Sequence, residues 1–164
     1  MASLKVGDLA PPIVASTHDG KPFRLDALRG QLVVIYFYPR AFTPVCTIET
    51  RMFRDRHDEI ARLGAQIVGV STDAQDTQCE FAARESLPFP LIADHDQKIS
   101  RAYDVKWPLL NRAQRVTFVI DRQGRIAARI HHELSAERHV KGVIGELTRL
   151  GASAPAPASE RSRA

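Results

Sequence analysis

Cysteine is scarce in this sequence: two in 164 residues, Cys46 and Cys79, 33 positions apart (79 − 46). Neither lies in a CxxC or CxxH spacing, which excludes a cysteine-built zinc site and a dithiol pair adjacent in the chain. In a reducing compartment such thiols read as reactive or buried groups, not as structural staples. Long apolar runs are also missing. The longest, Leu32-Val-Val-Ile-Tyr-Phe-Tyr38, has seven residues against the ~20 that span a bilayer. No charged-then-apolar leader opens the chain, so a cytoplasmic location away from membranes is expected.

Basic residues outnumber acidic ones only 23 to 19, for a net charge of +4, and they are scattered without a run. A nucleic-acid partner is therefore not expected. Histidines form no ligand-spaced cluster. His131 and His132, on a strand, would point to opposite faces, while His18, His95 and His139 stand alone near element ends, where histidines are usually solvated. With no metal, haem or flavin motif present, no cofactor is expected.

What is present is an ordinary globular composition, 44% hydrophobic and 26% charged, at a length that suits one domain. Residues 151–164 carry no large apolar side chain and cannot offset the entropy of being ordered. The chain is thus expected to divide into a domain over residues 1–150 and a disordered Ala/Pro/Ser-rich tail over 151–164.

Inside the domain the periodicity alternates. Leu32–Tyr38 is a continuous apolar, β-branched and aromatic run, as expected of a strand covered on both faces. Residues 66–71, 89–93 and 116–120 read the same way, and Asp121-Arg-Gln-Gly124 predicts a turn joining 116–120 to an antiparallel strand over 126–131. Between the strands, Val45, Ile48, Met52, Phe53, Ile60 and Leu63 keep helical spacing up to Gly64, which is placed to end that helix in the left-handed conformation. Further helices are predicted over 74–86, capped by Asp73 and stopped before Pro88, over 97–103, and over 136–150, opened by Ser135. The order β-α-β-α-β-α-β-β-α implies a thioredoxin-like α/β fold, with a central mixed sheet flanked by helices on both faces.

The segment between the most buried strand and the longest helix carries the chemistry. Pro44 suits the first helical position and Thr43 the position before it, which puts Cys46 third in the helix. Unpaired N–H groups and the positive end of the helix dipole favour an anion there, so a reactive thiolate is expected. The bland alternative is a small buried apolar residue, the commonest fate of a free cysteine. A cysteine hydrolase would need an imidazole base beside the sulfur. His57, eleven residues on (57 − 46), would lie about 16 Å up the same helix at ~1.5 Å per residue.

Pro39-x-x-x-Thr43-x-x-Cys46 resembles the active-site signature of the peroxiredoxins. The longer run from Phe37-Tyr-Pro through Thr-Pro-x-Cys-Thr-x-Glu49 is similar to their Q, or bacterioferritin-comigratory, branch. Val6-Gly-Asp-Leu-Ala-Pro11, Gly69-Val-Ser-Thr-Asp73, Leu87-Pro-Phe-Pro-Leu-Ile-Ala-Asp94 and Arg115-Val-Thr-Phe-Val-Ile-Asp121 extend the resemblance over residues 4–150. It implies a peroxidase in which Cys46 attacks hydrogen peroxide or an organic hydroperoxide and becomes a sulfenic acid. Thr43 would hydrogen-bond the thiolate and peroxide, and Pro39 would shield the sulfur. Arg115 would support the charge on sulfur and departing oxygen, and Glu49 is a possible supporting carboxylate. On their own, Arg115 reads as a strand-end surface residue and Glu49 as a solvated helix-face one.

The sequence departs from that branch at the resolving cysteine. Arg51 stands at one of its usual positions and Ala82 at the other. Cys79, about 60° around the helix from Ala82, is expected to resolve the sulfenic acid as an intramolecular disulfide, with Phe81 the core anchor of that helix. A one-cysteine peroxidase or a redox sensor remains the alternative. Lacking its own CxxC, the chain would draw electrons from thioredoxin, glutaredoxin or a similar dithiol, and the branch it resembles implies a monomer.

Overall fold

The computed structural model describes residues 4–132 and 135–152. A short hairpin, β1 (Val14–Ser16) and β2 (Pro22–Arg24), opens the fold and leads through a 3-10 turn at Leu25–Leu28. There follow β3 (Leu32–Phe37), α1 (Pro44–Asp55), α2 (His57–Arg62), β4 (Ala65–Ser71), α3 (Gln75–Arg84) and β5 (Leu91–Ala93). The chain then passes through α4 (Lys98–Ala102), β6 (Val116–Ile120), β7 (Ile126–His131) and α5 (Ala136–Ala152). The five longer-range strands form one sheet in the order β5-β4-β3-β6-β7.

β3 sits at the centre because every one of its residues is apolar and can be covered on both sides. It runs parallel to β4 and antiparallel to β6, and all six residues are buried. Strand side chains alternate between faces, so the sheet separates two cores. On one face Val34, Tyr36, Phe53, Phe81, Val119, Val140 and Leu147 pack under α1, α3 and α5. On the other Ile35, Phe37, Val68, Tyr103 and Phe118 pack together with Ile13 and Phe23 of the opening segment and Ile99 of α4. The expected mixed sheet with helical cover on both faces is therefore the architecture of the molecule.

Two glycines are demanded by geometry. Gly64 takes φ +82 just after α2, the left-handed stop its position predicts. A Cβ on Gly69 of β4 would lie 2.7 Å from the Tyr36 ring and from Leu91, so only glycine lets β4 run beside that tyrosine.

The elements differ from the sequence reading at particular places. The helix expected from Val45 to Gly64 is two helices, broken at Arg56 (φ −104, ψ 12). Phe53 and Ile60 stay buried on either side of the break, so apolar periodicity carries no mark of it. α3 is shorter than 74–86: Ser86 turns left-handed (φ 51), and the residue before the helix is Ala74, without a side-chain cap. The Asp73 carboxylate is engaged instead by the Ala41 N–H at 2.7 Å and the Ser71 hydroxyl at 2.6 Å. β5 narrows to three residues because Pro88 and Pro90 have no N–H for a ladder. α5 runs to Ala152, two residues past the expected domain end; residues 153–164 of the expected tail lie outside the described residues.

Candidate active site

The turn after β3 delivers a cysteine to the start of α1. Thr43 is extended (φ −79, ψ 152), and Pro44 is the first helical residue, its fixed φ already suited to a helix and its missing N–H costing nothing there. Cys46 is thus third in the helix, as the sequence predicts. It is completely buried, with Glu49 one turn further along the same inner face equally so. α1 packs against α5, and the loop before α1 reaches α3. Phe42 packs edge-on against Phe81 (5.0 Å between centroids), and Arg84 sits 5.5 Å over the Phe42 ring. These contacts hold Phe42 at φ +65, an uncommon conformation for a bulky side chain.

Arg115 enters from the residue before β6 and is 4% exposed. Its Nη1 donates to the Cys46 sulfur at 3.3 Å and to Glu49 Oε1 at 3.4 Å. One guanidinium therefore serves both a thiol and a carboxylate in a dry setting, where charge-assisted hydrogen bonds are strong. The surface arginine and the solvated glutamate that each residue suggests alone are replaced by a buried pair.

A further residue joins them that the sequence reading placed among solvated histidines. His139 of α5 is fully buried. Its Nε2 hydrogen-bonds Thr117 Oγ1 and stands 3.6 Å from Glu49 Oε2. Burial, with His132, Arg115 and His131 adding repulsion, pushes its pKa down to about 3, so the ring is neutral. The signal was available: His139 falls on the stripe of Ala136, Val140, Val143 and Leu147, all buried, and a polar residue on such a stripe faces the core.

The remaining candidates are Pro39, Thr43 and Cys79. Pro39 is half-buried at the end of the β3 turn. The Thr43 hydroxyl donates to the Arg40 carbonyl at 2.8 Å, closing the loop on itself. Cys79 is exposed on α3 while Cys46 is buried, and both are free thiols. Phe81 is the buried anchor of α3, as expected, but so is Ala82, so the 60° between Cys79 and Ala82 separates solvent from core. Among the described residues no group of three or more His, Cys, Asp or Glu could hold a metal, and no helix is long and apolar enough to cross a membrane.

A thioredoxin-like sheet, with a buried thiol in the first turn of a helix and a guanidinium against its sulfur, defines a protein of thiol redox chemistry. The chain belongs to the AhpC/TSA family, which it matches over residues 6–129, and its relatives there are peroxiredoxins of the Bcp and Q type. It is 37% identical over 131 residues to peroxiredoxin Bcp of Bacillus subtilis, covering 76% of this chain and 83% of that one. Against the chloroplastic peroxiredoxin Q of Sedum lineare it is 31% identical over 150 residues, 91% of this chain and 81% of the other. Among solved structures, peroxidoxin BcpB of Mycobacterium tuberculosis superposes with a TM-score of 0.84 at 34% identity, covering 90% of this chain and 98% of that one. Peroxiredoxin Q of Xanthomonas campestris gives 0.80 at 29%, covering 92% and 98%.

Proposed function

We propose that this thiol peroxidase reduces hydrogen peroxide and organic hydroperoxides at Cys46, and that Cys79 and an external dithiol complete the cycle. The Arg115 donor 3.3 Å from the buried Cys46 sulfur carries the reading. A guanidinium keeps its charge throughout, so it favours the thiolate before attack and can receive the negative charge that moves to oxygen as the O–O bond breaks. The thiolate takes one oxygen and becomes a sulfenic acid. The other oxygen leaves as hydroxide or alkoxide, and the proton first lost by the thiol completes water or alcohol.

Thr43 and Pro39 flank the sulfur in sequence, and their assigned roles are to bind the peroxide and to shield the thiolate. In the next step the Cys79 thiol displaces water from the sulfenic acid to form a disulfide, and thioredoxin, glutaredoxin or a similar dithiol reduces it by exchange. Two sulfurs can bond only with Cα atoms within about 7 Å, and Cys46 is buried where Cys79 is exposed. Resolution therefore requires the first turn of α1 to unwind. The same observation favours a second reading, a one-cysteine peroxidase or redox relay in which Cys79 is a bystander. The cycle is read as that of a monomer acting in the cytoplasm, with the working domain extending through the end of α5 at Ala152.

The test is non-reducing peptide mass spectrometry after one equivalent of hydrogen peroxide, on the native chain and on Cys46→Ser. A Cys46–Cys79 link within one chain supports the two-cysteine cycle. Sulfenic or over-oxidised Cys46 with Cys79 free moves the enzyme to the one-cysteine reading. Peroxide consumption that survives in Cys46→Ser removes the proposal.

A further inference from the structure

His139 has no assigned part in the chemistry above, yet it is buried against the groups that perform it. Its helix is otherwise apolar on that side, and an imidazole placed there costs free energy unless its polar atoms are used. Thr117 lies on the same face of β6 as Arg115, two residues away, so ring, hydroxyl, carboxylate and guanidinium meet behind the Cys46 sulfur.

The tautomer follows from hydrogen-bond satisfaction. Nδ1 meets no hydrogen-bond partner among the described residues. A proton on Nδ1 would be a buried unsatisfied donor, which is costly. The neutral ring therefore carries its proton on Nε2, the nitrogen that faces Thr117 Oγ1 and Glu49 Oε2. That N–H donates to the Thr117 oxygen, and its positive end lies against the carboxylate. Glu49 is then hydrogen-bonded by Arg115 at 3.4 Å on one side and faces the Nε2–H dipole of His139 at 3.6 Å, beyond hydrogen-bond distance, on the other. A carboxylate free to rotate would draw the guanidinium away from sulfur, whereas a fixed one aims it.

We propose that His139 is a positioning residue of the Cys46 site: fixed by Thr117, its Nε2–H dipole faces the Glu49 carboxylate at 3.6 Å, biases its orientation electrostatically, and so helps direct Arg115 onto the sulfur. This rests on the reading of Cys46 as the attacking thiol. Among the described residues, the charged and titratable groups that face the ring are Glu49 from α1, Arg115 before β6, and His131 and His132 at the end of β7.

The test compares His139→Leu, His139→Gln and His139→Asn, since a glutamine amide can reach the place of Nε2 and an asparagine amide only that of Nδ1. The readouts are the single-turnover rate of Cys46 oxidation by hydrogen peroxide, its pH profile, and the melting temperature. The Leu and Asn variants are expected to react about tenfold more slowly with a pH profile moved upward, and Gln to stay within about twofold of native. A residue that merely filled space would not separate Gln from Asn. Native rates in all three variants, or Gln as slow as Leu, overturn the inference while leaving the peroxidase reading intact. A native chain whose Cys46 does not react overturns both. If His139→Leu fails to melt cooperatively, Thr117→Val decides: a slowed reaction with a shifted pH profile supports the inference, and a native rate overturns it.

Discussion

The two faces of the sheet are built from the same strands and do different work. On the face under α4 and the opening hairpin, Phe37, Tyr103 and Phe118 pack ring against ring, with centroids 5.2 to 5.9 Å apart. On the face under α1, α3 and α5 the apolar cluster is interrupted by Glu49, Thr50, Gln78, Arg115, Thr117 and His139, all buried. β6 shows the division within one strand. Val116, Phe118 and Ile120 belong to the apolar face, while Arg115 and Thr117, in the alternate register, meet Cys46, Glu49 and His139. A reactive site can thus be built from buried polar groups that largely engage one another, and the opposite face is left to supply stability.

The largest test of that division is Phe118→Ala. Removing the ring from between Phe37 and Tyr103 is expected to cost about 3–5 kcal/mol of stability, read by urea unfolding. The rate of Cys46 oxidation in the folded fraction is expected to stay native. A rate that falls with the stability would mean the two faces are not independent.

Arg115→Lys presses on the other face. It keeps a positive charge beside Glu49, so the buried carboxylate is not stranded, but it loses the planar fork that reaches sulfur and carboxylate together. Oxidation of Cys46 by peroxide is expected to slow about tenfold by stopped-flow, with unfolding changed far less than in Phe118→Ala. An unchanged rate would mean that charge alone, without directed donors, supports the sulfur.

This division also explains what could be read in advance. The strands of the apolar face and the Thr43-Pro44-Cys46 turn were legible because continuous apolar runs and a proline at a helix start are local signals. The break at Arg56 was not, since Phe53 and Ile60 keep one phase across it. Asp73 was misassigned as a helix cap because its partners, Ala41 and Ser71, include a residue 32 positions away. Arg115, Glu49 and His139 each carry an ordinary surface reading singly, and only the pairing of β6 with β3 and the packing of α5 on α1 bring them together. The resemblance supplied Arg115 and Glu49, but His139 had no motif to announce it.

The smallest effect belongs to the rim of the site face, where Glu85 fastens α1 to α3. Its carboxylate accepts from Arg51 at 2.7 and 3.1 Å and has Arg54 at 3.6 Å. The hydrogen bond and charge of Arg51 hold it below the usual carboxylate range, against burial. A carboxyl with a depressed folded pKa stabilises the fold above its unfolded pKa of about 4.3, and that contribution is lost as pH falls through its folded value. Glu85→Gln is therefore expected to lose about 1 kcal/mol at pH 7 and to approach the native chain as pH falls through the folded pKa, measured by urea unfolding along a descending pH series. A difference that persists unchanged at low pH would assign the clamp to packing instead of charge. The expected value is small because the Arg51 side chain is 53% exposed, so water already screens this pair, whereas at Arg115 and Glu49, 5% and 0% exposed, it does not. Both networks pair guanidinium with carboxylate, and access of water decides how strongly each pair is held.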